Sequence, residues 1–179
     1  MRRPSRHTIN FAQLVADAIP EAARRKPLEP WWQEEARVGQ KGSLTSVWME
    51  KGRRPRAPRD QCYEWAYPFG AVCPVRGFGA GLVLPAVNTQ ARNLHLAEIS
   101  CHAAPGTHAV VVRDGAGWHC EGGALVLPHD ISLLSLPPYS PELNPVEKIW
   151  QFHRLNKLAN RVYENFEDII QACWVLGTR

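Results

Sequence analysis

The stretch Ile131-Ser-Leu-Leu-Ser-Leu-Pro-Pro-Tyr-Ser-Pro-Glu-Leu-Asn-Pro-Val-Glu-Lys-Ile-Trp150 contains a strand signal, a stop signal and a helix signal in succession. Its first six residues form a short, mostly apolar run, which is typical of a strand buried in a parallel sheet, and the Pro-Pro pair ends that strand. Asn144 is a favoured helix N-cap, Pro145 suits the first helical position, and Glu147 can complete a capping box. The stretch therefore predicts a buried strand that is followed by a helix.

The residues on either side of this stretch continue an alternation of helices and strands. Ala109-Val-Val-Val112 is a second apolar run of the buried-strand type, and a helix is predicted before it, over residues 89–104. Two more helices are predicted over residues 144–161 and 166–175. Such an alternation is typical of parallel strands whose connecting helices cover a sheet.

The first half of the chain follows a different pattern. An amphipathic helix is predicted over residues 9–25, ended by Pro27 and Pro30. Four strand candidates follow, which together predict an antiparallel meander: residues 30–39, 43–49, 63–73 and 79–87. Strands first, then alternating helices and strands, predict an α/β fold with one mixed sheet and helices on its faces.

Length and composition exclude several classes of protein. With 179 residues and 45% hydrophobic residues, the chain fits one ordinary domain and is too apolar for wholesale disorder. No apolar run approaches the roughly 18 residues of a membrane span, and polar residues interrupt the stretch after the basic N-terminus, which makes a poor signal peptide. Five cysteines without a C-x-x-C pair argue against a disulfide framework or a thiolate zinc site. We expect a cytoplasmic protein without a membrane partner.

The net charge of +4 is unevenly distributed along the chain. Residues 1–60 hold 13 of the 21 Lys and Arg residues and 7 of the 17 Asp and Glu residues, so their net charge is +6 and that of residues 61–179 is −2. The densest basic segment has five positive residues and no acid: Lys51, Arg53, Arg54, Arg56 and Arg59. This segment can neutralise DNA phosphates, and a solvated loop explains it equally well.

Acidic residues stand where several predicted elements begin or end. Glu34 and Glu35 close the first predicted strand, Asp114 follows the Ala109–Val112 run, and Glu147 lies in the first turn of a helix. In open α/β sheets, ligand sites gather beyond the carboxyl ends of the strands, and carboxylates that converge there suit a hard cation such as Mg²⁺. Two such ions, about 4 Å apart, can activate a nucleophilic oxygen and stabilise the leaving oxygen of a phosphodiester.

Each of these acids also has a purely structural explanation. Asp114-Gly115 is a common turn pair, and the capping box accounts for Glu147 without any metal. Glu34 and Glu35 can equally be solvated acids after an edge strand. The residues alone leave both explanations open.

Three motifs resemble the catalytic core of mariner-superfamily transposases, and more narrowly the bacterial insertion-sequence branch whose catalytic domain is called a DDE endonuclease. One is Asp114-Gly-Ala-Gly-Trp-His119, and the long, specific one runs from Leu136 through Glu147 to Trp150. The third is Trp31-Trp-Gln-Glu-Glu-Ala-Arg-Val-Gly-Gln-Lys-Gly42, which is similar to the first catalytic strand and hairpin. The likeness covers roughly residues 28 to 173.

The resemblance implies an RNase H-like fold, with a mixed five-stranded sheet and helices on both faces. It implies that Glu34, Asp114 and Glu147 are the catalytic residues and the ligands of Mg²⁺ or Mn²⁺, with two ions bound. The implied activity is metal-dependent cleavage of DNA at transposon ends, followed by attack of the freed 3′-hydroxyl on target DNA. With a DNA substrate implied, the basic residues 51–59 become expected contacts of the DNA backbone.

The resemblance also implies a domain organisation and partners. Residues 28–179 are expected to form the DDE catalytic domain, truncated at its C-terminus, and residues 1–27 an N-terminal helical remnant or linker. The expected partners are DNA of the transposon ends and target, a separately encoded helix-turn-helix half or an intact transposase, and a second copy in an active homodimer. We expect association with the nucleoid.

Two departures from the family leave two hypotheses open. Arg113 interrupts the apolar run directly before Asp114, and Glu34 stands where the family normally has aspartate. Because glutamate is one methylene longer and Mg²⁺ demands near-ideal octahedral geometry, Glu34→Asp is expected to raise metal-dependent nicking. The chain is either a catalytic DDE domain or a catalytically inactive remnant that only binds DNA or an intact transposase. A generic RNase H-like nuclease is a third alternative.

Overall fold

The computed structural model describes residues 11–40, 48, 50–52, 63–114, 125–137 and 140–174. Six strands lie in this part of the chain: β1 (Leu28–Glu35), β2 (Val38–Gly39), β3 (Trp65–Cys73), β4 (Phe78–Leu84), β5 (His108–Arg113) and β6 (Ile131–Ser135). Four α-helices accompany them: α1 (Phe11–Ala18), α2 (Thr89–His102), α3 (Pro145–His153) and α4 (Phe166–Trp174). The strand predicted at residues 43–49 lies outside the described residues, apart from Trp48.

All six strands form one mixed sheet in the order β2-β3-β1-β5-β6, with β4 paired to the remaining edge of β3. Strands β1, β5 and β6 are parallel neighbours, whereas β3 is antiparallel to β1, β2 and β4. The antiparallel meander of the first half and the parallel strands of the second half therefore join at β1. The predicted mixed α/β sheet is confirmed.

The sixth strand arises because one predicted strand is divided. The sequence predicts a single strand over residues 30–39, and β1 and β2 both pair with β3 in one continuous antiparallel register. Between them, the Ala36 N–H donates to the Pro68 carbonyl at 2.9 Å, but proline has no N–H to return the bond. The ladder is interrupted at this pair, and β1 with β2 corresponds to one strand of the expected five.

Two predicted helices are shorter than expected. Helix α1 ends at Ala18, before Pro20, and a single 3₁₀ turn over Glu21–Ala23 follows it, so the helix does not reach Arg25. The helix predicted over residues 144–161 is α-helical only to His153 and continues as a π-helical turn over Arg154–Leu158.

Helices cover both faces of the sheet, as predicted. On one face, Leu96 and Ile99 of α2 pack against Trp31 and Val111. On the other face, the α1 segment packs against the alternate side chains of β5 and β6, with these buried residues in one cluster: Ile19, Ala23, Val110, Val112, Leu134 and Leu136. All six residues of β5 are buried, including Arg113 at its end. This burial on both faces explains why residues 109–112 are all apolar.

Helices α3 and α4 lie over the meander half of the sheet. Val146 and Trp150 of α3 pack against Trp32 of β1 and Val72 of β3. Helix α4 contributes apolar residues to a separate cluster with β2 and β3: Val38, Ala66, Leu158, Tyr163, Ile169, Ala172 and Cys173. Within the described residues, no helix is both long and apolar enough to cross a membrane. The domain boundary expected between residues 27 and 28 stays a prediction.

Candidate active site

The register of the parallel strands places Glu34 level with Asp114. In the pairing between β1 and β5, the last pair is Trp32 with Val112. Glu34 lies two residues after Trp32, and Asp114 lies two residues after Val112. Side chains alternate along a strand, so both acids face the side of the sheet that Trp32 and Val112 face. Two acids that are 80 positions apart in sequence thus meet at the carboxyl ends of neighbouring strands.

Helix α3 brings the third predicted acid to the same end of the sheet. Asn144 is its N-cap and accepts a hydrogen bond from the Val146 N–H at 3.1 Å, and Pro145 occupies the first turn with Glu147. The expected N-cap is therefore present. In the described part of the chain, no hydrogen bond joins the Glu147 carboxylate to the Asn144 N–H, so this acid is not held in a capping box.

The pKa of the Glu34 carboxyl group is raised by burial and by the other acids near it. Burial raises the pKa of its carboxyl group to about 8, and the negative charges of Asp114, Glu35 and Glu147 contribute to the rise. Like charges raise a carboxyl pKa only when they stand close to it. The structure therefore brings the three predicted acids into one half-buried neighbourhood.

The three carboxylates fit a divalent cation by their chemistry. Within the residues that the structure describes, no three His, Cys, Asp or Glu side chains already stand in an arrangement that would hold a metal ion. The donor set nevertheless consists of the oxygen ligands that Mg²⁺ and Mn²⁺ prefer. A cation among Glu34, Asp114 and Glu147 would also offset the repulsion that adds to the effect of burial in raising the pKa of Glu34.

Glu35 is close enough for its charge to act on Glu34, but the alternation of the strand places its side chain on the opposite face of the sheet. Its position on β1 is opposite Phe69, which packs beside the buried His95 at a ring distance of 5.5 Å. Its Oε2 accepts a hydrogen bond from the Gln33 side chain at 2.9 Å. Glu34 rather than Glu35 is therefore the acid of this pair that faces α3.

Two residues that the sequence did not single out for the site support it. Asn144 donates from its side-chain amide to the Glu34 carboxylate at 2.8 Å, whereas the sequence indicated only its role as a helix cap. Gly70 lies opposite Glu34 on β3, and a Cβ atom there would stand 2.9 Å from the Trp150 ring of α3. A glycine within an otherwise apolar strand is the signal that could have indicated this close approach.

The predicted DNA-contacting segment is described only at its start. Lys51 is exposed, and the other four basic residues lie outside the described residues: Arg53, Arg54, Arg56 and Arg59. The segment that carries them lies in the sequence between β2 and β3, and the described ends of these strands are joined through Gln40, whose Oε1 accepts from the Glu64 N–H at 2.9 Å and whose Nε2 donates to the Tyr163 carbonyl at 2.9 Å. Their contact with DNA stays a prediction.

Comparisons with known proteins agree with this architecture. Residues 29–170 match the family of DDE superfamily endonucleases. Protein y4pE/y4sA of Sinorhizobium fredii (strain NBRC 101917 / NGR234) is 54% identical over 109 residues, which cover 61% of this chain and 80% of that protein.

Solved structures of the Mos1 transposase share the fold. The chain superimposes on the Mos1 strand transfer complex with a TM-score of 0.54 at 12% identity, covering 92% of this chain and 49% of the Mos1 chain. It superimposes on the Mos1 mariner paired end complex with Mn with a TM-score of 0.57 at 13% identity, over 82% of this chain and 46% of that one. The chain thus spans about half the length of these Mos1 chains. The RNase H-like fold is confirmed, and the chain belongs to the DDE superfamily endonucleases.

Proposed function

We propose that this chain is the catalytic domain of a DDE transposase, which cleaves DNA strands at transposon ends and joins the freed 3′ ends to target DNA. In the joining step the 3′-hydroxyl attacks a target phosphodiester, and the 3′-oxygen of the target strand is the leaving group. The observation that carries the proposal is the convergence of Glu34, Asp114 and Glu147 at the carboxyl ends of β1 and β5. Family membership supports the endonuclease chemistry. The Mos1 complexes, which include a paired-end complex with the left transposon end, support DNA as the substrate class.

The three acids would act by holding Mg²⁺ or Mn²⁺, in two sites as the family resemblance implies. Glu34 lies in β1, Asp114 directly follows the neighbouring strand β5, and Glu147 lies in the first turn of α3, so the sheet and this helix position the three acids. When bound, the metal supplies the positive charge that activates the attacking oxygen and stabilises the leaving oxygen of the phosphodiester. The proposed partners are transposon-end and target DNA, a second copy of the chain, and a helix-turn-helix region in a separate chain or an intact transposase.

A catalytically inactive remnant is the second candidate. It is favoured by the glutamate at position 34, where the family normally has aspartate, and by the lack of a preformed metal-holding arrangement among the described residues. Such a chain would bind DNA or an intact transposase without cleaving.

A nicking assay on supercoiled DNA separates the two candidates. The purified chain should nick DNA only with Mg²⁺ or Mn²⁺ present, and Asp114→Asn and Glu147→Gln should each reduce the rate by at least about a hundred-fold, because each removes a negatively charged metal ligand. Glu142→Gln is the matched control, since Glu142 is an exposed acid five positions before Glu147. Nicking that survives both substitutions would contradict the proposed site, and a folded wild-type chain without metal-dependent nicking would favour the remnant.

A further inference from the structure

Asn144 connects the two elements that carry Glu34 and Glu147. Its side-chain Nδ2 donates to Glu34 Oε2 at 2.8 Å and to the Gln33 carbonyl at 3.3 Å, both at the end of β1. Its Oδ1 accepts from the Val146 N–H at 3.1 Å, at the start of α3. With 2% of its surface exposed, the amide is buried between strand and helix.

The orientation of this amide is determined by its three partners. An asparagine amide has two N–H donors and a carbonyl acceptor, and here both sides of the group are used. The opposite orientation would turn the carbonyl toward the Glu34 carboxylate and the Gln33 carbonyl, and the amide N–H groups toward the Val146 N–H. The Gln33 contact would then join two acceptors and the Val146 contact two donors, whatever the protonation state of Glu34, so only the observed orientation satisfies the buried groups.

We propose that Asn144 is a positioning residue that holds the Glu34 carboxylate in the metal-binding geometry; this inference rests on the proposed function. Glutamate has one side-chain torsion more than aspartate, so its carboxylate needs an additional constraint to stay in one place. The hydrogen bond from Nδ2 supplies that constraint at the terminal oxygen of the side chain. Because the same amide caps α3, it also fixes the separation between the end of β1 and the first turn that carries Glu147.

The hydrogen bond between Asn144 and Glu34 explains why this chain has glutamate at position 34, where the family normally has aspartate. An aspartate at residue 34 would withdraw its oxygens by about one carbon–carbon bond, roughly 1.5 Å, from Nδ2 of Asn144. It would leave a buried amide donor without its carboxylate partner. Groups that hold metal ligands in place are typically worth about 10- to 100-fold in metal affinity.

Metal affinity tests the inference independently of DNA cleavage. We expect Asn144→Ser to bind Mn²⁺ and Mg²⁺ at least about tenfold more weakly than wild type by isothermal titration calorimetry on the full chain. Serine keeps an N-cap oxygen for α3 but has no amide to reach Glu34. Asn88→Ser is the matched control, because Asn88 caps α2 by accepting from the Ala91 N–H at 2.8 Å and belongs to a different helix. Circular dichroism and metal-free melting temperature report the folding of both variants.

A second variant tests the same hydrogen bond by changing its acceptor, Glu34. Glu34→Asp should also bind both metals at least about tenfold more weakly, which reverses the expectation from the sequence that this change raises nicking. The inference is overturned if Asn144→Ser binds metal within about twofold of wild type, if Glu34→Asp binds as tightly as wild type, or if wild type binds no metal.

The proposed function fails separately. A wild-type chain that binds metal with the expected dependence on Asn144, but does not nick DNA, would contradict the proposed function alone. A chain that nicks DNA while Asn144→Ser binds metal normally would contradict the inference alone.

Discussion

At neutral pH, the protonated form of the Glu34 carboxyl group is favoured over the ionised form in the folded protein. Burial, together with Asp114, Glu35 and Glu147, raises the pKa of Glu34 to about 8, above the value of about 4.3 for an unfolded glutamate. Between these two values the folded state binds more protons than the unfolded state. The stability that this group contributes is therefore fully present below about pH 4.3 and is lost as the pH rises through about 8.

Glu34→Gln should remove this pH dependence in the metal-free protein. Glutamine resembles the protonated carboxyl group and cannot ionise, so the variant and wild type should melt at similar temperatures near pH 4, within about 2 °C. Near pH 9 the variant should melt several degrees higher than wild type. Thermal unfolding in the presence of a chelator measures the difference, with Glu142→Gln as the control because that acid is exposed. Parallel curves for wild type and Glu34→Gln across this pH range would contradict the assigned environment.

The sequence indicated the three acids, but not their supporting contacts. Strand ends and helix starts are local features, so Glu34, Asp114 and Glu147 could be proposed as a site from spacing and family likeness. The hydrogen bond between Asn144 and Glu34 joins residues that are 110 positions apart, and it depends on how α3 docks on the sheet. The local pattern gave Asn144 a complete explanation as an N-cap, which concealed its second role.

At the scale of elements, the packing of Trp150 on Gly70 decides where α3 sits. Gly70 lies opposite Glu34 in the ladder of β1 and β3, and an added Cβ would stand 2.9 Å from Cζ2 of the Trp150 ring. Trp150 is buried against Trp32 and Val72, so the ring has little room to shift. The helix is held against the sheet at the same level as the acid neighbourhood.

Gly70→Ala should therefore move α3 and destabilise the chain. Overpacking of this kind typically costs about 1–3 kcal/mol, and the accompanying shift of Glu147 should also weaken Mn²⁺ binding. Gly79→Ala is the matched control on β4, because its added Cβ would meet its nearest neighbour, the Ala71 carbonyl oxygen, at 3.4 Å. Urea denaturation and calorimetry report the two effects. Equal stability of the two variants would show that Gly70 does not set the position of α3.

The sequence predicted the boundaries of a strand where residues within that strand determine them. It did not predict a boundary that is determined by a residue on the paired strand. Apolar runs indicated β5, which is buried on both faces, and β6, in which only Ser135 is exposed, because the signal lies within each run. The division of the strand over residues 30–39 follows from Pro68, which lies on the paired strand. A proline's effect on its neighbour across the ladder is visible only once the register is known.

At the scale of the whole molecule, two basic groups flank β1 in the sequence. Residues 24–26 precede β1 at its amino end, whereas Gln40 lies beyond its carboxyl end and the chain continues from there toward segment 51–59. An eight-residue strand spans about 26 Å, so residues 24–26 and Gln40 lie at opposite ends of β1. The acid neighbourhood lies at the end of β1 that leads to Gln40, and this chain connection is the reason to expect the phosphate contacts in segment 51–59 rather than in residues 24–26.

Replacing Arg53, Arg54 and Arg56 with alanine should weaken DNA binding for all sequences and flatten its salt dependence. Each contacted phosphate contributes about −0.9 to the slope of log K against log salt concentration, so loss of three contacts should reduce the slope by up to about 2.7. Alanine at Arg24, Arg25 and Lys26 is the matched control, since these exposed residues carry the same charge and lie at the amino end of β1, away from the acid neighbourhood. Fluorescence anisotropy with a random duplex and a transposon-end duplex, across a salt series, measures both quantities. Equal slopes for wild type and the Arg53, Arg54, Arg56 triple variant would assign the phosphate contacts elsewhere. A loss confined to the transposon-end duplex would show that these arginines read bases rather than the backbone.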